Sequence, residues 1–186
     1  LVLDTTIVPG GTSARRCKPT PGRVEVCDST YGNNGWLGLA QIWVSGGHIT
    51  QGVTKLNDTY FNTPTYNTPA WKNLVVCQEV GHTLGLDHQD EDFNNPPLGT
   101  CMDYTSDPAL NQHPNLHDYD ELGIIYLSHF DSFTSLRSGI QKLPNSDFES
   151  RSEWGRQLRK TGRIALYERD FGAGLKLYSF VIETRE

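Results

Sequence analysis

The sequence predicts an α+β fold. Three observations carry that prediction. Short strand-like runs joined at glycines occupy the N-terminal third, two segments near residues 71–84 and 118–130 place apolar residues at helical spacing, and two apolar runs flank Gly172-Ala173-Gly174 near the C-terminus.

The elements follow in order. Residues 1–35 are rich in Gly, Pro, Thr and Asn, with one strand-like run at Arg23–Cys27. Trp36–Val44 (WLGLAQIWV) is apolar and aromatic, and Gly46-Gly47 separates it from His48–Leu56, where Ile49, Val53 and Leu56 stand among polar neighbours. Two strands across a Gly-Gly turn is the natural reading. Asn57 to Pro69 reads as loop. From Pro69, the residues Trp71, Leu74, Val75, Val80 and Leu84 recur at helical spacing, and Gly85 is a terminator. A long acidic, polar segment runs from Asp87 to Pro114. The second helix is expected over Asp118–Phe130, with Asp118, Asp120 and Glu121 in its first turn, where the helix dipole favours negative charge. Lys142–Arg163 is polar, and Ile164–Tyr167 with Leu175–Ile182 reads as a terminal β-hairpin.

The 186 residues suffice for one good core, and no apolar run approaches the roughly 18 residues a membrane span needs. The net charge of −6 is unevenly spread: residues 1–132 carry 6 Lys/Arg against 15 Asp/Glu, and residues 133–186 carry 10 against 7. An acidic body argues against nucleic acid as partner, because phosphate binding wants a basic face. Four cysteines without CxxC spacing read as two disulfides and an oxidising compartment, with four reduced buried thiols as the alternative. Three pairings are open, of which Cys17–Cys27 with Cys77–Cys101 is favoured. Leu1-Val2-Leu3-Asp4 lacks the basic start and long apolar segment of a signal peptide, so a secreted, extracellular protein would be a mature or trimmed form.

The chemistry is concentrated in residues 78–88, Gln-Glu-Val-Gly-His-Thr-Leu-Gly-Leu-Asp-His. Positions four apart on a helix project from one face, so Gln78 and His82 reach the same ion. Gly85 ends the helix at a positive φ and turns the chain, returning His88 as a third ligand. Glu79 is offset from both helix ligands and is placed to hold a water. The acidic run Asp87, Asp90, Glu91 and Asp92 reads as a solvated loop, with Ca2+ binding as the alternative.

This segment resembles the extended zinc signature of the metzincin clan of metallopeptidases, HExxHxxGxxH, at every fixed position but the first. Cys101-Met102-Asp103-Tyr104 is similar to the clan's Met-turn, and Met102 is the sole methionine. The resemblance covers about residues 36–130. It implies a metzincin-like catalytic domain over 1–132, with a small mixed twisted sheet, an active-site helix, a Met-turn and a closing helix. Residues 133–186 would form a C-terminal extension packed on it. It also implies Zn2+ as cofactor, Met102 beneath the metal, and Tyr104 as a further ligand or a stabiliser of the reacting oxyanion. The strand Leu37, Gly38, Leu39, Ala40, Gln41 and Ile42 would be the cleft edge along which a peptide or protein substrate adds.

Where the clan has histidine, this chain has Gln78, and three readings compete. Its amide oxygen binds zinc, at similar reach and unchanged charge but with a weaker donor than imidazole; the site is metal-free and the protein a pseudoenzyme; or another group, best Tyr104, fills the gap. Cys77 lies five residues from His82, about 140° around the helix, which suits a disulfide to Cys101 better than metal or nucleophilic chemistry. No GxSxG elbow supports serine chemistry. The expected function is a secreted, monomeric zinc endopeptidase with Glu79 as general base. The rival is a peptide-binding module that does not cut.

Overall fold

The structure is a computed structural model that describes residues 3–127 and 148–185. Among the described residues, one six-stranded mixed sheet with three α-helices makes it an α+β protein. The strands are β1 (Val24–Ser29), β2 (Trp36–Ser45), β3 (His48–Asn57), β4 (Arg156–Thr161), β5 (Ile164–Gly172) and β6 (Leu175–Glu183), in the spatial order β1-β3-β2-β6-β5-β4. β1 runs parallel to β3, and every other pair is antiparallel.

The β2–β3 hairpin turns at Gly46 and Gly47, whose φ of 59° and 84° suit the two-residue turns that match strand twist. β2 is buried along nearly its whole length, which explains its continuous apolar sequence: a central strand is covered on both faces. One face carries Leu39, Trp43, Leu177, Val181 and Phe148, stapled near β1 by the Cys17–Cys27 disulfide. Helix α2 (Pro69–Thr83) lies on the other face, where Leu74, Val75, Met102, Ile164 and Ile182 form a second core.

α2 starts as its sequence dictates. Thr68 Oγ1 accepts from the Trp71 N–H at 3.3 Å, and Pro69 occupies the first turn, where no backbone donor is needed. The expected loop after β3 contains a single turn, α1 (Asp58–Phe61), capped by Asn57. α3 spans Leu116–Tyr126 and starts two residues before Asp118, because Asn115 as N-cap forms a reciprocal capping box with Asp118; the expected end at Phe130 lies outside the described residues.

The largest departure concerns residues 148–185. The expected hairpin is present as β5 and β6, and a further strand, β4, precedes it in a stretch that reads as merely polar. β4 is an exposed edge strand, so it has no apolar face to reveal it. β6 does not lie beside the sheet: it pairs with β2 from Trp36↔Glu183 to Ser45↔Leu175. β2 is therefore interior. Leu37, Gly38, Leu39, Ala40, Gln41 and Ile42 are flanked by β3 and β6, and the open cleft edge expected there does not exist.

Candidate metal centre

α2 carries Gln78, Glu79 and His82 into the space between helix and sheet, where all three are buried. The helix approaches β2 closely because of Gly38, where a Cβ would stand 2.6 Å from both Glu79 Oε1 and Val75 Cγ1. After Thr83 the chain breaks at Gly85, with φ of 95°, and the Leu86 N–H returns to the Gly81 carbonyl at 3.2 Å. This turn brings His88 back over His82.

The two imidazoles converge. Their Nε2 atoms are 3.1 Å apart and their rings stand edge to face. The far nitrogen of each is engaged: His82 Nδ1 lies 2.9 Å from the Leu86 carbonyl, and His88 Nδ1 lies 3.1 Å from the Tyr104 hydroxyl and 3.5 Å from Asp87. A carbonyl only accepts, so His82 Nδ1 carries the proton and His82 Nε2 presents a lone pair. Burial and the adjacent His88 hold His82 well below the ordinary histidine range. Burial lowers His88 as well, against the pull of Asp87. Both rings are thus held neutral, the form that binds metal.

Neighbouring segments fix this pair. The Gln89 N–H donates to the Met102 carbonyl at 2.7 Å and the Tyr104 N–H to the Asp90 carbonyl at 3.3 Å, tying the His88 loop to residues 102–104. Met102 packs beneath α2, where a Cβ on Gly81 would meet its Sδ at 2.6 Å. The Cys77–Cys101 disulfide joins the same two segments, with Cα atoms 5.9 Å apart. Asp118, buried at the start of α3, accepts from Thr100 Oγ1 at 2.5 Å and Gln89 Nε2 at 2.7 Å. The acidic run is drawn towards the sheet: Arg159 of β4 lies 2.6 Å from Asp87 and 2.8 Å from Glu91. Burial opposes the Asp87 charge, yet bonds to His88 and Arg159 hold its carboxyl below the usual range.

Comparison with known proteins finds no matching family model, no matching curated protein and no matching solved structure.

The site residues named from sequence meet unequally. His82 and His88 face each other; Gln78 is buried on the same face of α2, its Nε2 without a partner; both Glu79 carboxylate oxygens are buried, with the Ala40 backbone N–H as the polar group that favours their charge. Burial drives the Glu79 carboxyl well above its ordinary range. Tyr104 is placed differently from expectation. Its hydroxyl addresses the outer nitrogen of His88, so it positions that ring instead of joining the converging Nε2 atoms. Among the described residues no group of three or more His, Cys, Asp or Glu gathers to hold a metal; Gln78, His82 and His88 supply only two histidines and an amide. Sequence reasoning missed Arg159 and Phe180. The Phe180 ring stacks on His82 at 4.2 Å with an interplanar angle of 11°. Both lie beyond the recognisable motif, in strands that reach the site only through the sheet order.

Proposed function

We propose that this chain is a zinc-dependent peptide-bond hydrolase of metzincin type, in which His82, His88 and Gln78 hold the ion. The observation that carries the reading is the pair of converging nitrogens. Two ligands at about 2.0–2.1 Å from a tetrahedral zinc stand about 3.3 Å apart, close to the 3.1 Å found between these two. The Leu86 carbonyl and the Tyr104–Asp87 pair act on the outer nitrogens as such sites require, fixing tautomer and ring orientation.

Bound zinc supplies a Lewis acid that polarises a scissile carbonyl and acidifies a water. Glu79 is the general base. Its buried carboxylate has raised proton affinity, because burial outweighs the Ala40 backbone N–H, and this suits it to take a proton at neutral pH and return it to the leaving amine. The two disulfides, and the lack of any described helix long and apolar enough to cross a membrane, are compatible with a secreted protein. An extended substrate adding to β2 has no place, because β6 already pairs there.

That observation favours a second reading, a binding module that does not cut, since β6 and the Phe180 ring cover the sheet side of the site. Zinc analysis after dialysis against metal-free buffer, paired with Glu79→Gln, separates the two. The hydrolase reading expects about one zinc per chain in both proteins and peptide hydrolysis only in the parent. Unchanged hydrolysis in Glu79→Gln removes the general-base assignment. Absence of zinc after incubation with a modest excess moves the conclusion to the binding module.

A further inference from the structure

Arg163, in the turn just before β5, has an unusual position for a guanidinium. The Tyr66 side chain bonds to the guanidinium, but Nη1 is buried with no hydrogen-bond partner, and among the described residues no carboxylate pairs with it. The group sits 5.9 Å from the Trp71 ring and 5.3 Å from the Phe93 ring, and Arg185 approaches the same indole at 5.7 Å. Two cations thus approach one indole, and among the described residues neither is ion-paired with a carboxylate. A buried donor of this kind is costly unless something satisfies it.

Arg163 borders a small pocket between α2 and the start of β5, with room of about 10 Å³ as the structure stands, the space of one water. Two further unpaired atoms belong to residues lining the same pocket: the amide nitrogen of Gln78 and Oδ1 of Asp103, whose other oxygen is held by the Leu98 N–H and Asn111 Nδ2, both at 2.8 Å. The remaining wall is largely apolar, formed by Leu74, Val75 and Ile182 among others. Two free donors and one free acceptor in an apolar setting define what fits.

We propose that this pocket, widened from its present room for one water, binds a carboxylate carried on an apolar group. The carboxylate takes Arg163 Nη1 and Gln78 Nε2, and Asp103 Oδ1 accepts an N–H from the same ligand. An arginine fork matches a carboxylate, and in a desolvated setting the charge-assisted bond is strong. A peptide's C-terminal residue offers all three features, an α-carboxylate, a backbone N–H and an apolar side chain. An internal Asp or Glu side chain offers the same carboxylate from another source.

The test needs neither metal nor turnover, so its outcome is separate from that of the hydrolase reading. The full chain is titrated by isothermal calorimetry with N-acetyl-leucine, its neutral amide, and the α-amide of N-acetyl-aspartic acid. The acid is expected to bind at least about tenfold tighter than the amide, and Arg163→Met to abolish that preference. Comparable binding of the aspartate probe assigns the site to any carboxylate; its failure restricts the site to chain termini. Equal affinity for acid and amide in the parent overturns the proposal without reliance on a variant. So does a preference that survives in Arg163→Met, or no binding of any probe up to about 10 mM, which leaves water as the occupant.

Discussion

In the proposed zinc site, Gln78 is the residue on which the chemistry turns. An amide oxygen matches imidazole in reach and charge but is the weaker donor to zinc, so the substitution costs affinity without changing the ion's net charge. Gln78→His therefore raises zinc affinity by about tenfold or more, read by competition against a chelator of known strength. Unchanged affinity would mean that residue 78 does not touch the ion. Gly81 is the second informative residue. The Met102 sulfur occupies the place where its Cβ would stand, and the Leu86 side chain is also near. Gly81→Val overpacks this contact and lowers stability by about 1–3 kcal/mol, measured by denaturant unfolding. A neutral result would show that the methionine segment gives way freely and exerts no pressure on α2.

At the scale of elements, the site is the junction of α2, the loop that follows it, and the segment 100–104. These are legible in the sequence because each has a local cause. Helical spacing identifies α2, Gly85 ends it, and the offsets of Glu79, His82 and His88 follow from the helix and the turn. Arg159, Arg163 and Phe180 are not legible. Their relation to the site is set by strands meeting across more than seventy residues of sequence, which no local period encodes. The interior position of β2 is hidden for the same reason: a strand's own sequence shows that it is buried, not which strand lies beside it. The junction also makes a prediction about its disulfide. Cys77–Cys101 closes a separation of 24 residues and links helix to loop. Replacing both cysteines with alanine is expected to lower stability by about 2–4 kcal/mol and to weaken zinc retention in parallel. Lost stability with zinc affinity intact would mean that the bond serves the fold alone.

For the whole molecule, the sheet order decides what the C-terminal part is. A tail packed on a finished domain could be removed at modest cost, whereas β6 lies between β2 and β5 and completes the sheet. Its Leu177 and Val181 fill one core and its Ile182 the other, while Phe180 covers His82. Without it, β2 would expose a full row of backbone donors and acceptors together with the buried indoles of Trp36 and Trp43. Folded domains are stable by only about 5–15 kcal/mol, less than a loss on that scale removes. A chain ending at residue 127 is therefore expected to show no cooperative thermal transition and to exchange its amide protons rapidly, even with both disulfides formed. If it instead melts cooperatively and keeps zinc, residues 1–127 fold by themselves. β2 would then offer a free edge in that shortened chain, and strands β4 to β6 would be a cover over a substrate cleft, not part of its frame.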